Sequence, residues 1–371
     1  MLPEGWRKTT LGKCVDIKSG VAPSSLPLKR HGKYPYVKVE DMNNCSKFQK
    51  KSREYTDYDH NYIRRNSVIF PKRGAAIVNN KVRISINEIH LDSNMMALQP
   101  NSETTSDFLY YLITFCGLFK IADTSTIPQI NNKHILPYSI LLPPLPEQKK
   151  IAAILSTWDR AIEGTEKLLA NSQQQKKALM QQLLTGKKRL PGFTGEWKKK
   201  TLSNVCQIKT GKKDVNEGCE NGEYPFFTCA KQHTFSENYS YDCEAILIAG
   251  NGEVGKTHYY NGKFEAYQRT YILSDFTNIS VFFLLHFIEF FLPLDISKEK
   301  QHGAMPYIKL GTLKDFSVVT PPIPEQRAIA TVLTTADEEI ASLESDLSRL
   351  RQEKKALMQQ LLTGKRRVTV D

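Results

Sequence analysis

The stretch Lys-Lys-Ala-Leu-Met-Gln-Gln-Leu-Leu-Thr-Gly-Lys occupies residues 176–187 and recurs unchanged at residues 354–365, a displacement of 178 positions. The same displacement carries Pro143-Pro144-Leu145-Pro146-Glu147-Gln148 onto Pro321-Pro322-Ile323-Pro324-Glu325-Gln326, so the register holds without a gap. The chain is a tandem duplication, and a repeat period of this kind decides the fold before any local pattern does. Each copy has a matching start as well. Trp6, Thr10-Leu11 and Ile17-Lys18-Ser19-Gly20 answer Trp197, Thr201-Leu202 and Ile208-Lys209-Thr210-Gly211, and Tyr34-Pro35 answers Tyr224-Pro225. Between these landmarks the halves have diverged. One fixed element and one drifting element imply a shared scaffold that carries two different recognition surfaces.

The fixed element reads as a long helix. Pro146 and Pro324 suit the first helical position, and Glu147 and Glu325 favour the positive end of the helix dipole. Gly186 and Gly364 stand where a left-handed C-terminal cap belongs, each followed by a basic run. Alternate steps of four and three from Ile151 give Leu155, Trp158, Ile162, Thr165, Leu169, Ser172, Lys176, Leu179 and Leu183. The second copy is cleaner, running from Ile329 through Leu333, Ala336, Ile340, Leu343, Leu347, Leu350, Lys354 and Leu357 to Leu361. Such a sustained heptad seam is the mark of a coiled coil, and at 1.5 Å per residue each helix is roughly 60 Å long.

Two such helices in one chain satisfy their seams most simply by packing on each other. The expected fold is therefore mixed α/β: two globular domains and two long helices in an antiparallel intramolecular coiled coil with pseudo-two-fold symmetry. The boundaries read as residues 1–145 for the first domain, 146–186 for the central helix, 187–323 for the second domain, and 324–371 for the C-terminal helix and basic tail. Lys176 and Lys354 fall at equivalent seam positions. Either they fix the register at a cost in stability, or they snorkel outward.

Composition narrows the partner. Lys and Arg number 51 against 39 Asp and Glu, for a formal charge of +12 and a pI near 9.2, which makes nucleic acid the first candidate. The start of the chain lacks an apolar signal core, and the longest apolar run, residues 281–294, contains His286 and Glu289 and is too short to span a bilayer. A soluble cytoplasmic protein without membrane contact is expected. The seven cysteines, an odd number with no Cys-x-x-Cys pair, read as reduced thiols rather than a disulfide framework or a metal site.

The variable domains show short strand-like segments at residues 36–39, 67–70, 224–227 and 245–249, and each ends in a helix-like stretch, 107–119 and 281–291, whose apolar face is expected in the core. One motif competes with this reading. Gly250-Asn-Gly-Glu-Val-Gly255-Lys256-Thr257 fits the phosphate-binding loop pattern, and that loop works only if a helix begins at its lysine. The residues that follow, His258 to Phe264 with Asn261-Gly262 inside, read instead as a β-hairpin with an Asn-Gly turn. No zinc-protease or nucleophile-elbow pattern occurs. The double prolines lack the flanking residues of amino-methyltransferases, and no cofactor site stands out.

The two repeats, each closed by Pro-Pro-Leu-Pro-Glu-Gln or Pro-Pro-Ile-Pro-Glu-Gln and a helix ending Leu-Leu-Thr-Gly, resemble the DNA-specificity subunit of type I restriction-modification systems over the whole chain. Trp6 and Trp197, with the late segments at 126–130 and 304–308, resemble the target-recognition domains of that family. The first half departs from the pattern in lacking a clear counterpart of the glycine-rich loop at 250–255; Pro71-Lys72-Arg73-Gly74-Ala75 has the equivalent placement without the glycine pattern. The resemblance implies a non-catalytic subunit, with no cofactor and no metal, that binds double-stranded DNA at a bipartite, asymmetric site, one half-site per domain. It implies that the coiled coil fixes the spacer, and that two methylation subunits, with restriction subunits in the full complex, are the protein partners. Phosphate contacts position such a protein and base contacts specify the site. The candidate DNA-binding residues are Lys72, Arg73, Lys81 and Arg83 in the first half, and Lys212, Lys213, Lys231, Lys256 and Arg269 in the second. The competing classes are a P-loop enzyme using Gly250 to Thr257 and a coiled-coil adaptor without nucleic acid.

Overall fold

The computed structural model describes residues 3–298 and 307–370. They divide into two compact units that are not consecutive stretches of chain: one comprises Met1–Thr165 with Asp346–Asp371, the other Glu166–Ser345. Four helices organise them, α1 (Ser106–Cys116), α2 (Leu145–Leu183), α3 (Val281–Lys298) and α4 (Ile323–Leu361). The long helices α2 and α4 start one residue before the prolines expected at the first position. Each is shared, so that every unit holds the first part of one and the last part of the other.

Within each unit the shared segments run antiparallel. In the first, Ile151, Ala152 and Leu155 of α2 are buried in one cluster with Met358, Leu361 and Leu362 at the far end of α4. In the second, Ile329, Ala330 and Leu333 of α4 meet Met180, Leu183 and Leu184 from the far end of α2. Leu155 and Leu333 are fully buried, positions where truncation to alanine costs about 2–5 kcal/mol. The seam lysines do not snorkel: Lys354 pairs with Asp159, and Lys176 with Asp337.

The helix ends explain the repeated motifs. Gly186 and Gly364 both adopt left-handed backbone, at φ 70° and 71°, and return hydrogen bonds to the last turn of their helices. The Trp197 ring lies over Gly186, and Trp6 with Pro3 lies over Gly364. The basic runs beyond these glycines then turn back on the other repeat's helix start. Arg367 binds the buried carboxylate of Glu147, which also accepts from Trp6 Nε1 at 3.1 Å, and Arg189 binds the buried Glu325. The glutamates assigned to the dipole and the basic tails are thus partners.

The two units arrange related strands into different sheets. In the first, Val15–Ser19, Met95–Pro100, Val68–Pro71, Arg83–Ser85 and Phe48–Gln49 form a five-stranded sheet in that order, beside a three-stranded sheet of Glu54–Thr56, Tyr34–Val37 and His90–Leu91. In the second, Gln207–Thr210, Thr270–Ser274, Tyr241–Ala249, Thr257–Ala266, Tyr224–Phe227 and Thr234–Ser236 form one six-stranded sheet. A two-stranded ribbon, Arg7–Thr10 with Ser139–Leu142 or Lys198–Thr201 with Ser317–Thr320, leads into each long helix. The apolar faces of α1 and α3 sit in the core through Phe108, Leu109 and Leu112, and through Phe283, Leu284 and Phe287.

The hairpin expected at Asn261-Gly262 is not a turn. Thr257–Ala266 continues through both residues as one strand, pairing Asn261 with Glu244 and Gly262 with Cys243. Gly262 takes φ 135° inside the strand, a use of glycine's freedom that local sequence does not separate from a turn. The hairpin bend is residues 250–256, the glycine loop itself. Among the described residues no helix is long and apolar enough to cross a membrane, and all seven cysteines are unpaired.

Candidate nucleic-acid interface

In the second unit the candidate residues gather at one end of the six-stranded sheet, and backbone hydrogen bonds bring them there. The strand Gln207–Thr210 ends at Gly211, where a Cβ would stand 2.2 Å from the Ala266 carbonyl oxygen and 2.3 Å from that of Tyr267. Only glycine allows this approach. It lays Lys212 and Lys213 against the next loop, with the Lys212 amide donating to Ala266 O at 3.2 Å and the Gln268 amide to Lys213 O at 2.9 Å. The glycine bend joins the same neighbourhood: the Gly250 amide donates to Arg269 O at 2.9 Å, the Glu253 amide to Cys229 O at 3.0 Å, and the Ile308 amide to Gly250 O at 2.8 Å. Lys212, Lys231, Lys256 and Arg269 are exposed. Lys213 is half-buried and pairs with Glu217 at 3.1 Å.

Four residues outside the sequence-based set belong here. Tyr307, 55% exposed, and Lys309 line a shallow cleft with Gly250, Gln268 and Arg269. His233 lies tilted against the Phe227 ring, 5.3 Å between centroids, and His258 lies 5.7 Å from the same ring. Burial and then the charge of Lys256 pull His258 below its ordinary pKa, which favours a neutral ring. Tyr307 stands in the late segment noted above, so a signal for it existed; Ala304, Met305 and Pro306 of that segment lie outside the described residues.

The glycine loop is not a phosphate cradle. Lys256 leads into the strand Thr257–Ala266, so no helix dipole points at the loop. Besides the Gly250 and Glu253 amides, two more of the loop's amides are already committed: Gly255 donates to Ala249 O at 2.8 Å and Lys256 to Glu253 O at 2.9 Å. Thr257 is buried and its hydroxyl donates to Glu289 at 3.1 Å.

The first unit repeats this frame with other side chains. A Cβ on Gly20 would meet Asp92 O at 2.0 Å, which is why the Ile-Lys-Ser/Thr-Gly motif occurs twice. The Ile130 amide donates to Lys72 O at 2.9 Å, the Gly74 amide to Pro128 O at 2.9 Å, and the Lys72 amide to Asn94 O at 2.8 Å. Ile130 to Lys72 is the same bond as Ile308 to Gly250, displaced by 178. Residues 71–74 are therefore the counterpart of the glycine loop, at the placement expected for residues 71–75 though without the glycine pattern. Exposed Arg73 reaches Gln129 Oε1 at 3.4 Å. Lys81 Nζ donates to Asn43 Oδ1 at 2.6 Å. Arg83 is spent differently, because its guanidinium donates to the carbonyls of Met42, Cys45 and Val82 at 2.9, 2.8 and 2.7 Å, pinning the 41–45 loop.

Against known proteins, the family described as the type I restriction modification DNA specificity domain matches residues 3–171 and 194–351. The specificity subunit of the type I restriction enzyme EcoDI from Escherichia coli is 34% identical over 171 residues, covering 45% of this chain but only 37% of that one. The MjaVIII specificity subunit from Methanocaldococcus jannaschii is 25% identical and covers 99% of this chain and 94% of its own. The crystal structure of the S subunit from M. genitalium shares the fold at a TM-score of 0.69, with 19% identity over 96% of each chain. A chain from a structure concerned with assembly and conformational transition of the type I system superposes at 0.61, with 18% identity over 99% of this chain and all of that one. The chain belongs to the type I restriction-modification DNA specificity family. It is a DNA-recognition subunit and not itself an enzyme, and subunits of this kind work in complexes with modification and restriction subunits.

Proposed function

We propose that each unit reads one half of a bipartite, asymmetric site on double-stranded DNA, that the α2–α4 pair fixes the unread spacer, and that two methylation subunits, with restriction subunits in the full complex, dock on the outer helix faces in the cytoplasm. The supporting observation is the duplicated frame: Gly20 and Gly211 permit the same close approach, and Lys72 and Gly250 accept the same hydrogen bond. Different side chains stand on that frame, which is what reading two different half-sites requires. A helix of 39 residues is about 58 Å long at 1.5 Å per residue, between one and two turns of B-DNA at about 34 Å each. The boundaries 1–145, 146–186, 187–323 and 324–371 serve as the functional modules of this reading.

Lys72, Arg73, Lys81, Lys212, Lys213, Lys231, Lys256 and Arg269 are assigned to DNA contact. Arg83, bound to three backbone carbonyls, acts by shaping its loop. The test is to co-purify the chain with its methylation subunit and map methylated adenines across a genome by single-molecule sequencing. A two-part motif with a fixed gap is expected, and replacing residues 190–320 with those of a relative should change one half of it. No motif from an intact complex would favour the adaptor reading.

A further inference from the structure

Each unit contains a polar junction where both long helices meet the helix of a recognition domain. In the first, Asp159 of α2 binds both Lys354 of α4 and the Tyr111 hydroxyl of α1. Lys354 also stands 5.7 Å from the Tyr111 ring centroid, and the buried Lys47 donates to the Tyr111 hydroxyl at 3.1 Å. In the second, Asp337 of α4 binds Lys176 of α2, whose Nζ lies 3.9 Å from Glu289 of α3. His286 of α3 adds a contact to Thr334 at 3.3 Å and approaches Asp337 at 3.8 Å. The lysine side chains retain only 15% and 18% of their exposure. Lys354 and Asp337 are Lys176 and Asp159 displaced by 178, so each unit makes the same ion pair once, between its own antiparallel segments.

A seam of Leu and Ile accepts slippage by a heptad, because one aliphatic knob fills the next hole nearly as well. A part-buried lysine tolerates it less, since a slip of one heptad puts Ala152 and Ala330 in the places of the aspartates in one direction, and the longer Glu166 and Glu344 in the other. Tyr111 and Glu289 extend the constraint from the helix pair to α1 and α3. Resting on the two-half-site reading above, we propose that the Lys354–Asp159–Tyr111 and Lys176–Asp337–Glu289 junctions are positioning residues that determine spacer length, by fixing where each recognition domain sits along the long helices. The residues that read bases are elsewhere. The junctions therefore set the gap without setting the sequence.

The experiment compares methylation maps of the co-purified complex for the wild type and for a variant with Lys176→Met, Lys354→Met, Asp159→Asn and Asp337→Asn. Both half-sites should persist, while sites with gaps about three base pairs shorter or longer, the step of one heptad at about 10 Å, rise about tenfold in methylated fraction. Lys176→Arg with Lys354→Arg keeps the charge and should retain the single gap. An assembled quadruple variant confined to the original gap overturns the proposal. Should that variant fail to assemble, Tyr111→Phe leaves the Lys354–Asp159 pair and cuts its tie to α1 together with the Lys47 hydrogen bond; the same broadening is expected, and an unchanged gap overturns the proposal. The wild-type map tests the two-half-site reading by itself, so its failure is seen separately.

Discussion

Replacing Gln148 by Leu should cost about twice as much stability as replacing Gln326, although the two residues occupy the same place in the repeat. Both side chains are buried, at 0% and 1% exposure. Gln148 makes four hydrogen bonds: Oε1 accepts from the Thr104 hydroxyl at 3.1 Å and the Thr105 amide at 3.0 Å, and Nε2 donates to Glu103 O at 2.9 Å and Pro143 O at 3.0 Å. Gln326 makes two, accepting from the Ser280 amide at 2.8 Å and donating to Pro321 O at 2.8 Å. Leu preserves the approximate volume, so the difference lies in polar groups left unpaired. At about 1 kcal/mol per hydrogen bond the losses are about 4 and about 2 kcal/mol. Thr105 is the N-cap of α1, so the first variant also loosens a cap. Native-state amide exchange in increasing urea, read separately on α1 and α3, measures both costs in one sample. Equal losses in the two units, or a loss below about 1 kcal/mol for Gln148→Leu, would refute this accounting of the motif.

Gly211→Ala must displace backbone rather than a flexible side chain, so a destabilisation of about 1–3 kcal/mol is expected together with weakened recognition of one half-site; a stable variant with unchanged methylation would contradict the close approach. Alanine at Lys212 and Lys256 together should reduce the slope of log affinity against log salt by about 0.9 for each phosphate no longer neutralised, and an unchanged slope would remove both from the interface. Burial alone would raise the Glu289 carboxyl, but the His286 hydrogen bond and the Lys176 charge outweigh it and hold it below 4.5. A depressed carboxyl stabilises the fold above its unfolded pKa and loses that contribution as pH falls through the folded one. The second unit should therefore weaken below about pH 4.5, and Glu289→Gln should flatten that fall in urea titrations.

The repeat, the long helices, their caps and their antiparallel pairing were legible because they rest on periodicity and on glycine and proline at defined positions. The strand at residues 224–227 appeared as expected, and that at 245–249 was the end of a longer one. Asn261-Gly262 misled because glycine at positive φ inside a strand carries the same letters as a turn. The first-half counterpart at residues 71–75 was legible by its placement alone. Its defining hydrogen bond is between backbone atoms, Ile130 amide to Lys72 carbonyl, which no side chain announces. Arg83 looked like any surface arginine, and only its three carbonyl partners show that it shapes a loop. The aspartates opposite the seam lysines lie outside the apolar register, so heptad counting passed over them.

The division into units has a bearing on how the protein is made. Residues 166–345 form one uninterrupted compact unit, whereas the other needs residues 346–371 to cover Ile151, Leu155 and Trp6. Domains fold in order as they leave the ribosome when their parts are contiguous. Here the domain translated first stays open at its helix face until residues 346–370 follow, while the unit of residues 166–345 can close ahead of it.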